Sequence, residues 1–250
     1  MATRTKRLSA DRLEYRDVAK AIDHSLLRPE LDDDAVREGC GVAREYDVAS
    51  VCVRPADVAT ARDLLAGSDV RVGTVIGFPH GAHATATKVA EAERAMADGA
   101  VELDMVLNIG ALRSGRDDDV REDIAAVVRA AEGRAIVKVI LENAYLDRRQ
   151  KVRACKLAEA AGADFVKTST GFAPSGATVE DLRLMRRTVS DRVQVKAAGG
   201  VRTLDALVEA LNAGASRVGA TATKAILDEY RARSSGDAEA TAAGGLGGGY

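Results

Sequence analysis

The stretch VQVKAAGGVRTLDALVEALNAG occupies residues 193–214 and shows the unit from which the chain is built. Val193–Ala198 is a short run of apolar and β-branched residues, which is typical of a strand. It ends in the Gly-rich turn Ala198–Val201, and a segment of helical period follows over Thr203–Ala213. Gly214 stands just past this segment, where a left-handed residue commonly ends a helix. The stretch therefore predicts a strand, a turn and a helix, in that order.

The same alternation recurs along the chain, giving eight candidate strands, each followed by a candidate helix. The predicted strands are Ala21–Ser25, Ala49–Arg54, Arg71–Phe78, Val101–Leu107, Ala135–Leu141, Asp164–Ser169, Val193–Ala198 and Ser216–Ala220. The predicted helices are Asp32–Tyr46, Pro55–Ala66, His83–Asp98, Asp118–Ala131, Leu146–Ala161, Val179–Val189, Thr203–Ala213 and Thr221–Arg233. Near-continuous apolar strands favour a parallel sheet that is covered on its faces. Eight such units predict an α/β fold, a (β/α)8 TIM barrel in a single domain, and no GxGxxG follows the first strand to indicate an open doubly wound sheet.

The barrel is predicted to span residues 21–233, between two different terminal segments. Residues 1–20 are interpreted as an N-terminal extension carrying a helix. Ser234–Tyr250 is rich in Gly, Ala and Ser, which is typical of a flexible tail. This tail ends in Tyr250, and we expect that its phenol either relays a proton at the catalytic site or is incidental.

Composition excludes several classes of protein. The 250 residues are 46% hydrophobic and carry a net charge of −2, which argues against disorder and against a general nucleic-acid binder. We expect no membrane association, because no apolar run is long enough to span a bilayer and the charged N-terminus does not resemble a secretory signal. Three widely spaced cysteines form neither a disulfide framework nor a metal-binding pair, so a reduced, cytoplasmic protein is predicted.

Four charged residues stand out on predicted strands four to seven, and these are Asp104, Lys138, Lys167 and Lys196. Their neighbours are apolar, so strand alternation directs the four side chains into the barrel or its mouth. The chain holds only nine Lys among 36 basic residues, which makes three interior lysines unusual. An Arg could serve an ion pair there, but only a Lys can lose its proton and attack a carbonyl as a Schiff-base nucleophile.

Charge is expected to tune this nucleophile, although spacing alone does not identify which lysine it is. A second ammonium at about 5 Å lowers the pKa of an amine by roughly two units. Asp104 is interpreted as a proton carrier, a salt-bridge partner or both. Glu102 has the same strand parity and is interpreted as a structural counter-charge one layer deeper. Buried ion pairing remains the alternative explanation for each lysine.

Glycine-rich turns follow strands six, seven and eight and predict a phosphate site. Barrels commonly bind phosphate through backbone N–H groups in the loops after strands seven and eight. The candidate phosphate-binding residues are Gly171, Gly199, Gly200 and Gly219, and Asp23 and Lys138 are further candidates for substrate binding. We expect no metal and no cofactor, because the three histidines do not have the spacing of a ligand set.

The chain resembles the deoxyribose-phosphate aldolase family. The motifs that carry this resemblance are IDHSLL at 22–27, VCVRP at 51–55, IGFP at 76–79, ELDMV at 102–106, VKTSTGF at 166–172 and KAAGGVRT at 196–203. The resemblance implies a cofactor-independent lyase on a TIM barrel that reversibly cleaves 2-deoxy-D-ribose 5-phosphate to D-glyceraldehyde 3-phosphate and acetaldehyde. It also implies that Lys167 is the Schiff-base lysine and that Asp104 and Lys196 are its proton-transfer partners.

Some positions differ from the family pattern, and two other functions stay open. The turn after strand eight reads Gly219-Ala220-Thr221-Ala222 instead of ending in a Ser pair, so we expect backbone rather than hydroxyl contacts to phosphate there. The alternatives are another class I sugar-phosphate aldolase and a non-catalytic barrel that binds phosphosugars. We expect a small-molecule phosphorylated sugar as the partner, no nucleic acid, and assembly as a homo-oligomer, a dimer or a tetramer.

Overall fold

A computed structural model describes residues 8–236 of the chain. Eight parallel strands close into a barrel in which each strand pairs with its neighbours in sequence and β8 pairs with β1. The strands are β1 Ile22–Leu26, β2 Ser50–Val53, β3 Arg71–Ile76, β4 Glu102–Val106, β5 Ile136–Ile140, β6 Phe165–Lys167, β7 Gln194–Ala198 and β8 Arg217–Ala220. The predicted (β/α)8 TIM barrel is therefore confirmed.

Ten α-helices within the described residues surround or cap this sheet. They are α1 Tyr15–Ala19, α2 Asp33–Glu45, α3 Val58–Leu64, α4 Thr85–Asp98, α5 Ile109–Arg113, α6 Asp117–Ala131, α7 Arg148–Ala160, α8 Val179–Thr188, α9 Leu204–Asn212 and α10 Thr223–Ser235. Local sequence explains their limits: the Asp32 carboxylate accepts a hydrogen bond from Ala35 N at the start of α2. Gly99 ends α4 with a φ of 115°, a conformation that favours glycine.

Helix α5 and the bounds of several helices, those of α10 among them, differ from the sequence-based expectation. Helix α5 was not predicted, although Asn108 caps it by accepting a hydrogen bond from Ala111 N. Helix α10 begins at Thr223 and continues through Ser235, so the first two residues assigned to the tail belong to the helix. Helix α1 lies within residues 1–20, the segment interpreted as an N-terminal extension. Tyr250 and the rest of the predicted tail beyond residue 236 lie outside the described residues.

The apolar side chains form two separate clusters. The large one fills the layer between the sheet and the helices. The small one comprises Leu27, Cys52 and Val75 with Phe78 packed against them, and it forms from residues of β2 and β3 and of segments that follow β1 and β3. Among the helices of residues 8–236, none reaches the length and apolar character that a membrane crossing demands.

Candidate active site

Three lysine ammonium groups converge on the carboxylate of Asp104. Asp104 Oδ1 lies 2.8 Å from Lys138 Nζ, and Asp104 Oδ2 lies 2.8 Å from Lys167 Nζ and 2.7 Å from Lys196 Nζ. All four residues are buried. The four charged strand residues that the sequence singled out therefore form a single cluster inside the barrel.

Strand register explains why these residues meet. Asp104 on β4 pairs with Lys138 on β5, and Lys167 on β6 pairs with Lys196 on β7. Residues of one parity in a barrel strand point inward, so side chains from neighbouring strands face one another across the interior. The apolar runs around each residue fix that parity by placing the alternate side chains in the layer beneath the helices.

A second tier of charges lies beside this cluster. Asp23 Oδ1 accepts hydrogen bonds from Arg217 Nε at 2.8 Å and from Ser50 Oγ at 2.8 Å. Arg217 Nη2 also lies 3.1 Å from Glu102 Oε2, and Glu102 Oε2 lies 2.5 Å from Lys138 Nζ. This second tier consists of Asp23, Ser50, Glu102 and Arg217. Within it, Glu102 lies against Lys138 and Arg217, as expected of a structural counter-charge.

Two of the three lysines bridge the tiers, whereas the third does not. Lys196 Nζ lies 2.5 Å from Asp23 Oδ2, and Lys138 reaches both Asp23 and Glu102. Within the described residues, Lys167 forms an ion pair with Asp104 alone. Of the three amines, Lys167 is therefore the one whose deprotonation breaks the fewest ion pairs within the described residues.

The carboxylates of the cluster are held in their charged forms. Burial opposes ionisation of Asp104, but the three lysine ammonium groups hold the pKa of its carboxyl well below the usual range. Burial likewise opposes ionisation of Asp23, and Lys196, Lys138 and Arg217 together lower its pKa below the ordinary value. Both groups therefore accept hydrogen bonds as carboxylates across the neutral pH range.

The pKa of Lys167 is displaced in the opposite direction from the one expected. Burial favours the neutral amine, but the Asp104 carboxylate at 2.8 Å outweighs burial and raises the pKa of Lys167 above its usual value. Burial also opposes the charge of Lys138, and Asp104, Asp23 and Glu102 raise its pKa well above the usual range. Repulsion among the ammonium groups was expected to dominate, whereas direct contact with a shared carboxylate is stronger at these distances.

The predicted substrate ligands Asp23 and Lys138 are fully enclosed by the charged cluster. Asp23 is 0% and Lys138 1% exposed, and each is bonded to other charged side chains. These contacts favour a role in positioning the other charges, and substrate binding by either residue stays a prediction. Asn143, another residue near a strand end, is buried and donates a hydrogen bond from Nδ2 to Met185 Sδ at 3.3 Å.

Apolar and aromatic groups form the wall of the barrel mouth. In the strand register, Cys52 on β2 lies beside Ser25 on β1 and Gly73 on β3. Its side chain therefore has the parity that points into the barrel. Burial raises the pKa of the Cys52 thiol to about 11, so it is a neutral apolar group there. Phe78 and Phe172 meet edge to face with ring centroids 5.4 Å apart, and they join the segments that follow β3 and β6.

Three of the four predicted phosphate-binding glycines share a single small cavity. Gly199, Gly200 and Gly219 line it together with Val201, Arg202, Ala220 and Thr221. Gly171 is not among the residues that line this cavity, and its part in phosphate binding stays a prediction. Gly199 and Gly200 both have a positive φ, at 83° and 85°, and a side chain at either position would be strained.

Sequence reasoning missed two sets of buried residues whose hydrogen bonds connect the segments around the barrel mouth. Lys88 is buried on α4 and donates hydrogen bonds to Asp123 Oδ2 at 2.6 Å and to Val106 O at 2.9 Å, which ties two helices to the end of β4. Glu142 follows β5 and accepts a hydrogen bond from Thr170 Oγ1 at 2.5 Å, and burial raises the pKa of its carboxyl. A single lysine within a helix of mixed polarity gives no sign of burial, and a carboxylate just past a strand end was the one signal for Glu142.

No group of three His, Cys, Asp or Glu side chains in residues 8–236 is arranged to hold a metal ion. His24 is buried and its Nδ1 lies 2.8 Å from Thr223 Oγ1. His80 lies elsewhere, on the exposed segment after β3.

Comparison with known proteins identifies the family. A deoxyribose-phosphate aldolase from Bacillus cytotoxicus is 53% identical over 211 residues, which cover 84% of this chain and 95% of that one. The enzyme of the same name from Caldanaerobacter subterraneus is 48% identical over 217 residues, covering 86% and 94%. A deoxyribose phosphate aldolase from Aeropyrum pernix, described as a tetramer, has 30% identity and a TM-score of 0.82 over 89% of this chain and 95% of that one. Residues 17–229 match the DeoC/LacD aldolases, and the chain belongs to that family.

Proposed function

We propose that this protein catalyses the reversible cleavage of 2-deoxy-D-ribose 5-phosphate to D-glyceraldehyde 3-phosphate and acetaldehyde. The observation that carries this proposal is the buried Asp104 carboxylate, which is within 2.8 Å of three lysine amines. A primary amine and an adjacent proton acceptor are the groups that imine-forming aldol cleavage requires. Relatives named deoxyribose-phosphate aldolase, which are 48–53% identical over most of the chain, support the choice of substrate.

Lys167 is the nucleophile in this proposal. Its neutral amine adds to the C1 aldehyde carbon of the open-chain sugar, and loss of water then gives a protonated imine. The ammonium must first lose its proton, since the resting side chain is paired with Asp104. Lys167 makes the fewest ion pairs of the three lysines, which supports its assignment over Lys138 and Lys196.

Carbon–carbon cleavage uses the imine as its electron acceptor. The C3 hydroxyl gives up its proton, the C2–C3 bond breaks, and the bonding electrons move into the imine to form an enamine. D-Glyceraldehyde 3-phosphate leaves as the C3 carbonyl forms. Protonation of the enamine at C2 and addition of water then release acetaldehyde and restore the amine. Asp104 contacts Lys167 directly and Lys196 contacts the same carboxylate oxygen, so these two groups can carry the protons.

Phosphate recognition is assigned to the turns after β7 and β8. Gly199, Gly200 and Gly219 supply backbone at the lining of one cavity, and Arg202 lines the same cavity. Absence of side chains at these glycines lets an anion approach the backbone N–H groups closely. Unphosphorylated 2-deoxyribose should therefore lose a large part of kcat/KM, because the binding energy of the remote phosphate is missing.

Trapping with acetaldehyde tests the nucleophile. Acetaldehyde and cyanoborohydride should attach an ethyl group to the peptide carrying Lys167 in the wild-type protein and leave Lys167→Arg unlabelled at that peptide. Lys224→Arg serves as the control, since Lys224 is exposed on α10 and should not alter the labelling. Predominant labelling of Lys196 or Lys138 would contradict the assignment.

A substrate panel separates the proposed reaction from its alternatives. Faster turnover of another sugar phosphate would indicate a different class I aldolase. Binding of sugar phosphates without any turnover or trapping would indicate a non-catalytic barrel.

Self-association and a cytoplasmic site of action complete the proposal. A tetrameric neighbour from Aeropyrum pernix supports a homo-oligomer, and light scattering on the purified protein tests it. The three cysteines are buried and free, which supports function in a reducing compartment.

A further inference from the structure

Among the described residues, the ion-paired groups of the two tiers inside the barrel comprise more cations than carboxylates. The cations are Lys138, Lys167, Lys196 and Arg217, and the carboxylates are Asp23, Glu102 and Asp104. When every group is ionised, this buried cluster carries one excess positive charge. Loss of a single proton from one lysine makes the cluster neutral, which removes the cost of burying an excess charge in a medium that solvates charge poorly.

Arg217 is the cation that cannot supply this proton, because a guanidinium stays charged at any pH the protein meets. Its side chain is 12% exposed and is bonded to Asp23, Glu102 and Ser50. Arg217 binds both carboxylates of the second tier, whereas Asp104 is the carboxylate that all three lysines share.

We infer that Arg217 is a positioning residue that fixes the charge balance of the barrel interior, so that Lys167 is the amine that gives up its proton. This inference deepens the proposed aldolase function and rests on it. Lys138 and Lys196 each bridge Asp104 to a carboxylate bonded to Arg217, whereas Lys167 does not. Deprotonation at Lys167 therefore leaves three cations facing three carboxylates with the other ion pairs intact.

Among residues 8–236, the charged or titratable groups on the elements around Lys167 belong to this balance or have partners of their own. The groups on the surrounding elements are Asp23 on β1, Cys52 on β2, Glu102 and Asp104 on β4, Lys138 on β5, Glu142 after β5, Lys196 on β7 and Arg217 on β8. Glu142 is held by Thr170, and Cys52 is a neutral thiol. Arg71 reaches Glu102 from the solvent side at 3.7 Å, where water screens its charge.

Removing the charge of Arg217 should therefore raise the pKa of Lys167. In the strand register, Lys167 on β6 lies beside Lys196 on β7, and Lys196 lies beside Arg217 on β8. Lys167 and Arg217 are therefore two strands apart. Two strand spacings place them about 10 Å apart, and a unit charge at that distance shifts a pKa by about one unit at an effective dielectric constant of about 20. Release of Lys138 and Lys196 toward Asp23 and Glu102 would strengthen the Asp104–Lys167 pair and act in the same direction.

The test compares Arg217→Gln, Arg217→Lys, Glu102→Gln and the double variant Arg217→Gln/Glu102→Gln. In Arg217→Gln, the midpoint of the acid limb of kcat/KM should shift to higher pH by about one unit. In Arg217→Lys, which keeps the charge, this midpoint should stay near the wild-type pH. It should move down in Glu102→Gln, which adds to the excess positive charge. The double variant removes one charge of each sign, so its limb should return toward the wild-type position.

A second readout does not depend on aldolase activity. Cyanate reacts with neutral amines, so the pH dependence of carbamylation of the Lys167 peptide, followed by mass spectrometry, reports its proton equilibrium directly. The midpoint should shift in the same directions as the activity limb. Shifted labelling in a protein without aldolase activity would refute the proposed function and leave the charge balance supported.

Arg233→Gln is a matched control, because Arg233 is also partly buried and bonded to two carboxylates, Asp205 and Glu229, but lies on α10 outside the barrel. It should lower stability without moving either midpoint. Unshifted midpoints in Arg217→Gln, or a double variant that shows no return, would overturn the inference. If Arg217→Gln does not fold, the downward shift expected of Glu102→Gln tests the same charge count, and an unshifted midpoint there overturns it.

Discussion

Replacing Lys196 by Met is expected to raise the pKa of Lys167 by about two units. Both amines contact the same atom, Asp104 Oδ2, at 2.7 and 2.8 Å. The two nitrogens are therefore no more than about 5.5 Å apart, and ammonium groups at that distance repel by about 3 kcal/mol at an effective dielectric constant of about 20. The variant removes this repulsion and also leaves Asp104 freer to hold Lys167, so both effects favour the ammonium form.

The rate of D-glyceraldehyde 3-phosphate formation, measured from pH 6 to pH 10, tests this reasoning. Activity near neutral pH should fall about 100-fold, because a rise of about two pKa units leaves that much less neutral amine. Part of the loss should disappear as the pH rises. Lys224→Met is the control, since Lys224 pairs with Asp228 on the exposed side of α10.

A loss that is equal at every pH would refute the electrostatic explanation. Lys196 would then act by proton transfer, and its charge would not set the proton equilibrium of Lys167. Cyanate labelling of Lys167 separates the two cases, because a purely proton-transferring Lys196 would leave the labelling midpoint unchanged.

Three further predictions concern stability and the chain terminus. Lys88→Met should cost about 3–5 kcal/mol of unfolding free energy by leaving the Asp123 carboxylate buried without its cation, and calorimetry on Lys88→Met/Asp123→Leu should show part of that loss restored. Burial lowers the pKa of His24 to about 4, so the unfolded chain binds more protons between about pH 4 and pH 6.5 and stability should rise with pH across that window. Denaturant titrations should show this slope in the wild-type protein and not in His24→Gln, which keeps a partner for Thr223; an equal slope in both would exclude His24 as its source. Deleting Tyr250 should lower kcat about tenfold with thermal stability and trapping unchanged if its hydroxyl relays a proton, because proton transfer by a positioned group contributes at least that much, and a wild-type rate would show that the residue is passive.

The amino-acid sequence was sufficient to predict the fold and the four central charged residues. Strand and helix periods are local properties, and eight repetitions of one unit leave few ways to pair the strands. Interior placement of Asp104 and the lysines follows from the same periodicity, because a charged residue between apolar neighbours of opposite parity must point away from the helices. The residue type indicated the chemistry, because burying several lysine amines in a barrel costs free energy and a lysine can act as a nucleophile where an arginine cannot.

Tertiary structure alone decided which charges touch. Asp104 and Lys196 are 92 residues apart in the chain, and their 2.7 Å contact exists only after the barrel has closed with its particular stagger. The pKa of Lys167 depends on that contact, because Coulomb energy changes steeply between 3 and about 5 Å, and sequence spacing cannot resolve such a difference.

The partners of Arg217 and Lys88 likewise became visible only in three dimensions. In the sequence, Arg217 is the second residue of the predicted strand Ser216–Ala220, and Lys88 is a polar residue near a helix start. Register turns the former toward Asp23 and Glu102, and helix packing encloses the latter against Asp123. Periodicity assigns a side chain to a face of its own element, whereas the group that meets it there is determined by how distant elements pack.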